Sequence, residues 1–127
     1  IIKIGLEKMC LYGTILSFIF IFMLIILNII EVQSIFFLTF ICFLIGFSHG
    51  FVVANAMIGA INSVSENQGA SSGLMGALQV GFGGFAGYLI IYFGGADIFL
   101  ISLIGILIMS TISIFSSIIA NIIKINN

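Results

Sequence analysis

The sequence predicts an all-α integral membrane protein of four transmembrane helices. Three observations carry this reading. Hydrophobic residues make up 62% of the chain and charged residues only 6%, far below the roughly 25% with which a water-soluble domain clothes its surface. The mean hydropathy is +1.44. The apolar residues fall into four runs, each close to the about 20 residues that cross a ~30 Å hydrocarbon core. The few charges separate those runs.

The first span covers residues 9–30, bounded by Lys8 and Glu31. It is dominated by Ile, Leu and Phe, so most of its sides suit acyl chains. Its Thr14 and Ser17 are expected to bond back to the helix's own carbonyls. The second span covers 34–63 and ends where Ser63, Ser65, Glu66, Asn67 and Gln68 take over. The third covers 69–93 and stops at the Gly94-Gly95 pair, a natural helix end. The fourth covers 97–121, with Asp97 as its expected N-cap. It is as uniformly apolar as the first, and its Ser110 and Thr111 are again expected to bond within the helix.

Lys3 and Lys8 precede the first span and Lys124 follows the fourth. With four crossings, all three lysines share one side of the membrane. The positive-inside rule makes that side cytoplasmic, so both termini are expected in the cytoplasm of a multi-pass protein of the cell's inner (plasma) membrane. Three or five crossings would split the lysines.

The second span is the polar one. Ser48, Asn55 and Asn62 recur every seven residues and lie along one helix face, with His49 one step round. A polar stripe in a membrane helix faces protein or water rather than lipid. It reads either as the wall of a solute-binding cavity or as a set of interhelical hydrogen bonds; His49 alone reads as a bonded packing residue. The third span carries a ridge of small residues, Gly69, Gly73, Ala77 and Gly81, and a further pair, Gly83 and Gly87. Such ridges let helix backbones approach closely in lipid. Gln79 in the same span calls for a partner on another helix.

Other chemistries find no support in the residues. No basic patch points to nucleic acid. No Ser/His/Asp set, HExxH or carboxylate cluster points to an enzyme, and no ligand spacing points to a metal or other cofactor. Cys10 and Cys42 lie in apolar runs and read as packing residues. The chain opens on Ile1-Ile2-Lys3 and reads as a piece of something longer.

Two segments carry a family resemblance. GFVVANAMIGAI (50–61) and QGASSGLMGALQ (68–79) resemble the tenth and eleventh helices of major facilitator superfamily drug:proton antiporters, most of all the Bcr/CflA (bicyclomycin-resistance-type) multidrug exporters. The matching positions are Gly50, Asn55, Ala56, Ala60, Gly69, Ser71 or Ser72, Gly73, Leu74, Gly76, Ala77, Leu78 and Gln79. The family often has proline before the Asn-Ala pair, where this chain has Ala54.

The resemblance implies that the chain supplies helices nine to twelve of a twelve-helix fold. The first and fourth spans would then sit outermost, the second would line the central cavity, and the third would pack between the two halves. It also implies partners: the lipid bilayer, the missing N-terminal helices, and a small-molecule substrate and a proton in the complete protein. Ser48, His49, Asn55 and Asn62 become substrate-cavity candidates. Because no Asp or Glu lies inside a span, the fragment alone is expected to be inactive. The alternatives are a small four-helix scaffold or assembly subunit and, with less support, a four-helix multidrug exporter, whose first helix should carry a membrane carboxylate that this first span lacks.

Overall fold

The computed structural model describes residues 5–31, 34–62, 64, 67–95 and 97–126, with the last three of these as backbone alone. Lys3, Ser63, Ser65 and Glu66, which entered the charge and loop arguments, lie outside the described residues, as does the side chain of Lys124. Four α-helices follow one another: α1 Leu6–Ile29, α2 Ile35–Asn62, α3 Gln68–Ile90 and α4 Phe99–Asn126. Each is long and apolar enough to cross a membrane. At ~1.5 Å per residue even the shortest reaches the ~30 Å of a hydrocarbon core. The predicted spans match these helices to within a few residues at each end.

Short connections make successive helices antiparallel neighbours. At one end of the bundle Asn121 of α4 donates through Nδ2 to the carbonyl of Glu7 in the first turn of α1, at 2.9 Å. The two chain ends therefore share a face of the bundle, hereafter the terminal face, as the even number of crossings requires.

Among these four helices α1 is the best buried. Gly13, Thr14, Ser17, Ile21, Leu24 and Ile25 are all buried on it, because α1 lies between α2 and α4 and packs along both. Its apolar character allowed burial as readily as lipid contact. Toward the face opposite the termini, Ile21, Leu24 and Ile25 meet Ile41 of α2 and Leu103 of α4 in one apolar cluster. Phe20, Leu27, Leu38, Ile45, Leu100 and Leu107 pack around it. In lipid this cluster gains from close packing rather than from escape from water. Large side chains such as Phe36, Phe43, Phe47, Val80 and Phe115 stay exposed, which suits acyl chains and would be untenable in water.

Two glycines set the closest helix approaches. A Cβ added at Gly13 would stand 2.5 Å from Val52 Cγ2 and 3.4 Å from the Ser48 carbonyl oxygen, so α1 lies directly on α2 there. A Cβ at Gly105 of α4 would stand 2.7 Å from Ile90 Cγ1, so the last residue of α3 seats in the gap that Gly105 leaves. Both glycines lie on the spans read as uniformly apolar.

α3 has no buried residue. It ends in a widened turn, Ile91–Gly95, broken at Gly94, whose φ of +95° is left-handed. The Gly94 carbonyl accepts from the N–H groups of Asp97 and Ile98 at 3.2 and 3.0 Å. The Gly94-Gly95 stop is therefore where the sequence places it. The expected N-cap is not: α4 begins at Phe99, and the first carbonyl to accept its hydrogen bonds is that of Ile98, from Ile101 N–H at 3.0 Å. The tight turn holds Asp97 one residue too early to cap the helix.

Candidate functional site

Between α1, α2 and α4, from the terminal face to mid-depth, the helices do not close over one another. Two adjoining hollows occupy the gap. The deeper, of about 210 Å³, is lined by Thr14 and Ser17 of α1, His49 and Val52 of α2, and Ser110 and Ser113 of α4, with Ile21, Ile45, Ile106 and Met109 forming its apolar part. The shallower, of about 390 Å³, is lined by Glu7 and Cys10 of α1, Asn55, Ala56 and Gly59 of α2, and Ser113, Ser116 and Ser117 of α4. Ser113 and Val52 line both.

The helical repeat explains how the polar groups converge. Glu7, Cys10, Thr14 and Ser17 are three or four residues apart and form one face of α1. Ser110, Ser113, Ser117 and Asn121 do the same on α4. Neither row was singled out from sequence, because isolated Ser and Thr in apolar helices are read as bonding to their own backbone. Some do: Thr14 Oγ1 donates to the Leu11 carbonyl at 2.9 Å and Thr111 Oγ1 to that of Leu107 at 2.8 Å. Ser17 does not. It is only 9% exposed, and its hydroxyl has no partner among the described residues.

The four cavity candidates on α2 separate. Ser48 is 1% exposed, beneath Gly13, with its hydroxyl donating to the Leu44 carbonyl at 2.8 Å. It serves the α1–α2 contact and lines neither hollow. His49 is exposed and lines the deeper hollow. Asn55 is 4% exposed and lines the shallower hollow. Its Nδ2 donates to the Phe51 carbonyl at 2.8 Å, while its carbonyl oxygen is buried without a partner. Asn62, the last residue of α2, is exposed and belongs to neither hollow. The seven-residue stripe is thus one packing residue, one cavity residue and one helix end.

The small-residue ridge of α3 meets nothing within the described residues. At Gly69, Gly73, Gly81, Gly83 and Gly87 an added Cβ would find no atom within 4 Å. Ala77 and Gly81 instead line a shallow hollow of about 290 Å³ whose other walls, Leu78, Phe82 and Phe85, belong to α3 itself. Gln79 is exposed.

Cys10 Sγ donates to the Val52 carbonyl at 3.7 Å, beside the crevice, whereas Cys42 is exposed on α2. At the terminal end Asn121 donates to the carbonyls of both Glu7 and Ser117, at 2.9 and 3.1 Å. Replacing Asn121 with Leu removes the bond that joins α4 to α1. An exchange of this kind costs about 1 kcal/mol. The expected result is a modest fall in thermal midpoint in detergent, and an unchanged midpoint would show that the bond does not hold α4 to α1.

Scanned against protein-family models, curated proteins and solved structures, the chain matches none.

Proposed function

We propose that this chain is the C-terminal four-helix part of a major facilitator superfamily drug:proton antiporter of the Bcr/CflA type, sited in the plasma membrane with both termini cytoplasmic. In this reading α2 contributes to the solute pathway, and the exposed face of α3 seats against helices of the same transporter. The substrate is a small molecule exchanged for a proton. The charged residues of the described helices lie near their ends, at Glu7, Lys8 and Lys124, so the coupling carboxylate belongs to the remaining helices.

One observation carries the reading. α3 has no buried residue, yet along its exposed side run Gly69, Gly73, Ala77 and Gly81. In lipid, a row of small residues spaced by four gains nothing until another helix lies in it. Its sequence, with the Asn-Ala pair of α2, is also where the resemblance to these exporters lies.

The test uses the gene product that contains this sequence, in inverted membrane vesicles of a strain lacking its own drug exporters. The reading expects a polypeptide of about twelve spans, the complement of such a transporter. It also expects acid-driven dye accumulation that Gly73→Leu and Gly81→Leu abolish by forcing the contacting backbones apart. A 127-residue product that accumulates no dye and is recovered with a second membrane protein would defeat the reading in favour of a scaffold docked through α3.

A further inference from the structure

We propose that the crevice between α1, α2 and α4 holds a column of water that enters from the terminal face and stops at Ile21. The inference concerns this chain's own helices and stands whether or not they belong to a transporter.

Two orphaned atoms point to it. The Ser17 hydroxyl and the Asn55 carbonyl oxygen are buried without partners, and both residues line the crevice. An unpartnered buried polar group is costly, and in hydrocarbon no solvent relieves it. A buried site takes water when it is roomy and offers each water two to four polar partners. Hollows of about 210 and 390 Å³ have that room. Ser110, Ser113 and Ser117 of α4 line the same hollows and offer hydroxyls as the further partners.

The direction of entry follows from the two ends. The shallow end carries Glu7, whose position in the first turn of α1 brings an ionisable group to the mouth. The deep end meets Ile21, which belongs at once to the crevice lining and to the apolar cluster with Leu24, Ile25, Ile41 and Leu103. That cluster offers a water nothing to bond. From Glu7 to Ser17 the rise is ~15 Å, about half the hydrocarbon thickness. The column is therefore a half-channel, wet from one side and sealed from the other.

Cysteine reactivity at matched depth reads this out. Thiolates, not thiols, react with methanethiosulfonates, and a thiol in lipid does not ionise. In a background with Cys10→Ala and Cys42→Ala, Ser17→Cys is compared with Leu16→Cys, its exposed neighbour on the outer side of α1. The probe is the membrane-impermeant trimethylammonium-ethyl reagent, applied to the intact chain in proteoliposomes of known orientation. The expected result is labelling of Ser17→Cys from the terminal face about tenfold or more faster than Leu16→Cys, since only the wet position ionises, with Ile21→Cys inert. Native Cys10, tested with only Cys42→Ala, gives the same reading without altering the crevice: it should outpace a cysteine at the exposed Tyr12 nearby. Equal rates at positions 16 and 17 together with equal rates at 10 and 12 overturn the proposal, as does faster labelling from the opposite face. Those outcomes describe a dry or lipid-filled crevice.

Discussion

Gly13→Leu separates α1 from α2. The added Cβ alone would stand 2.5 Å from Val52 Cγ2, well inside van der Waals contact. Valine cannot step aside cheaply, because a β-branched side chain in a helix is held to one rotamer. The Ser48 carbonyl oxygen at 3.4 Å closes a second direction. A leucine adds three more carbons where none fits, so the helices part or rotate. Overpacking of this kind costs about 1–3 kcal/mol and occasionally more. The loss reaches beyond the pair, since α1 also carries the packing to α4. Thermal unfolding in detergent should show the largest drop of any single substitution on α1. The cause is checked by a cycle with Val52→Ala: Gly13→Ala, destabilising alone, should lose most of its effect when Val52 is shortened. Additive effects would place the damage elsewhere.

Gly95→Ala is expected to cost more than Gly94→Ala, although only Gly94 has a left-handed φ. At Gly94 the penalty is conformational, about 1–2 kcal/mol for an L-residue in that region, and the new Cβ would meet only Ile101 Cδ1 at an ordinary 3.5 Å. At Gly95 the Cβ would stand 2.7 Å from the carbonyl oxygen of Ile90 and 2.8 Å from Ser102 Oγ. A backbone oxygen cannot rotate away. The Ser102 hydroxyl already donates to the Gly95 carbonyl at 2.7 Å, tying α4 to the turn. The alanine thus opens the α3–α4 turn and breaks that bond together. The measurement is the distance between spin labels on α3 and α4, which should lengthen and broaden in Gly95→Ala and stay near native in Gly94→Ala. The reverse order would mean that strain, not crowding, governs the turn.

The four helices were legible because length, apolar runs and sparse charges suffice to mark them. Their arrangement was not. An apolar helix suits lipid and protein alike, so nothing in the composition of α1 says that it lies between two neighbours. Gly13 is a lone glycine without the repeat that drew attention to α3, yet it makes a close approach that none of the α3 ridge glycines makes within the described residues. The crevice was half legible. Asn55 stands out as an amide in an apolar run, and it does line the crevice. Ser17 and Ser110 do not stand out, because whether a serine bonds to its own helix or faces a neighbour depends on rotation about the helix axis. The α2 stripe was read as one surface, but Ser48 and Asn62 face different surroundings. Periodicity gives the face, and only packing tells what the face meets.

The sparse burial of α3 also bears on how the chain is made. Its mean hydropathy of 1.6 is the lowest of the four spans, against 2.6, 2.2 and 2.3 for the others. The insertion machinery reads each emerging segment by hydrophobicity, so α3 has the smallest margin for partitioning into the bilayer unaided. Nor do its siblings offer it a buried seat once it arrives. Its retention falls to the strongly apolar α4, synthesised just behind it and joined to it by the glycine turn. The two enter as a hairpin, and a ribosome halted before α4 emerges would leave α3 at the membrane surface.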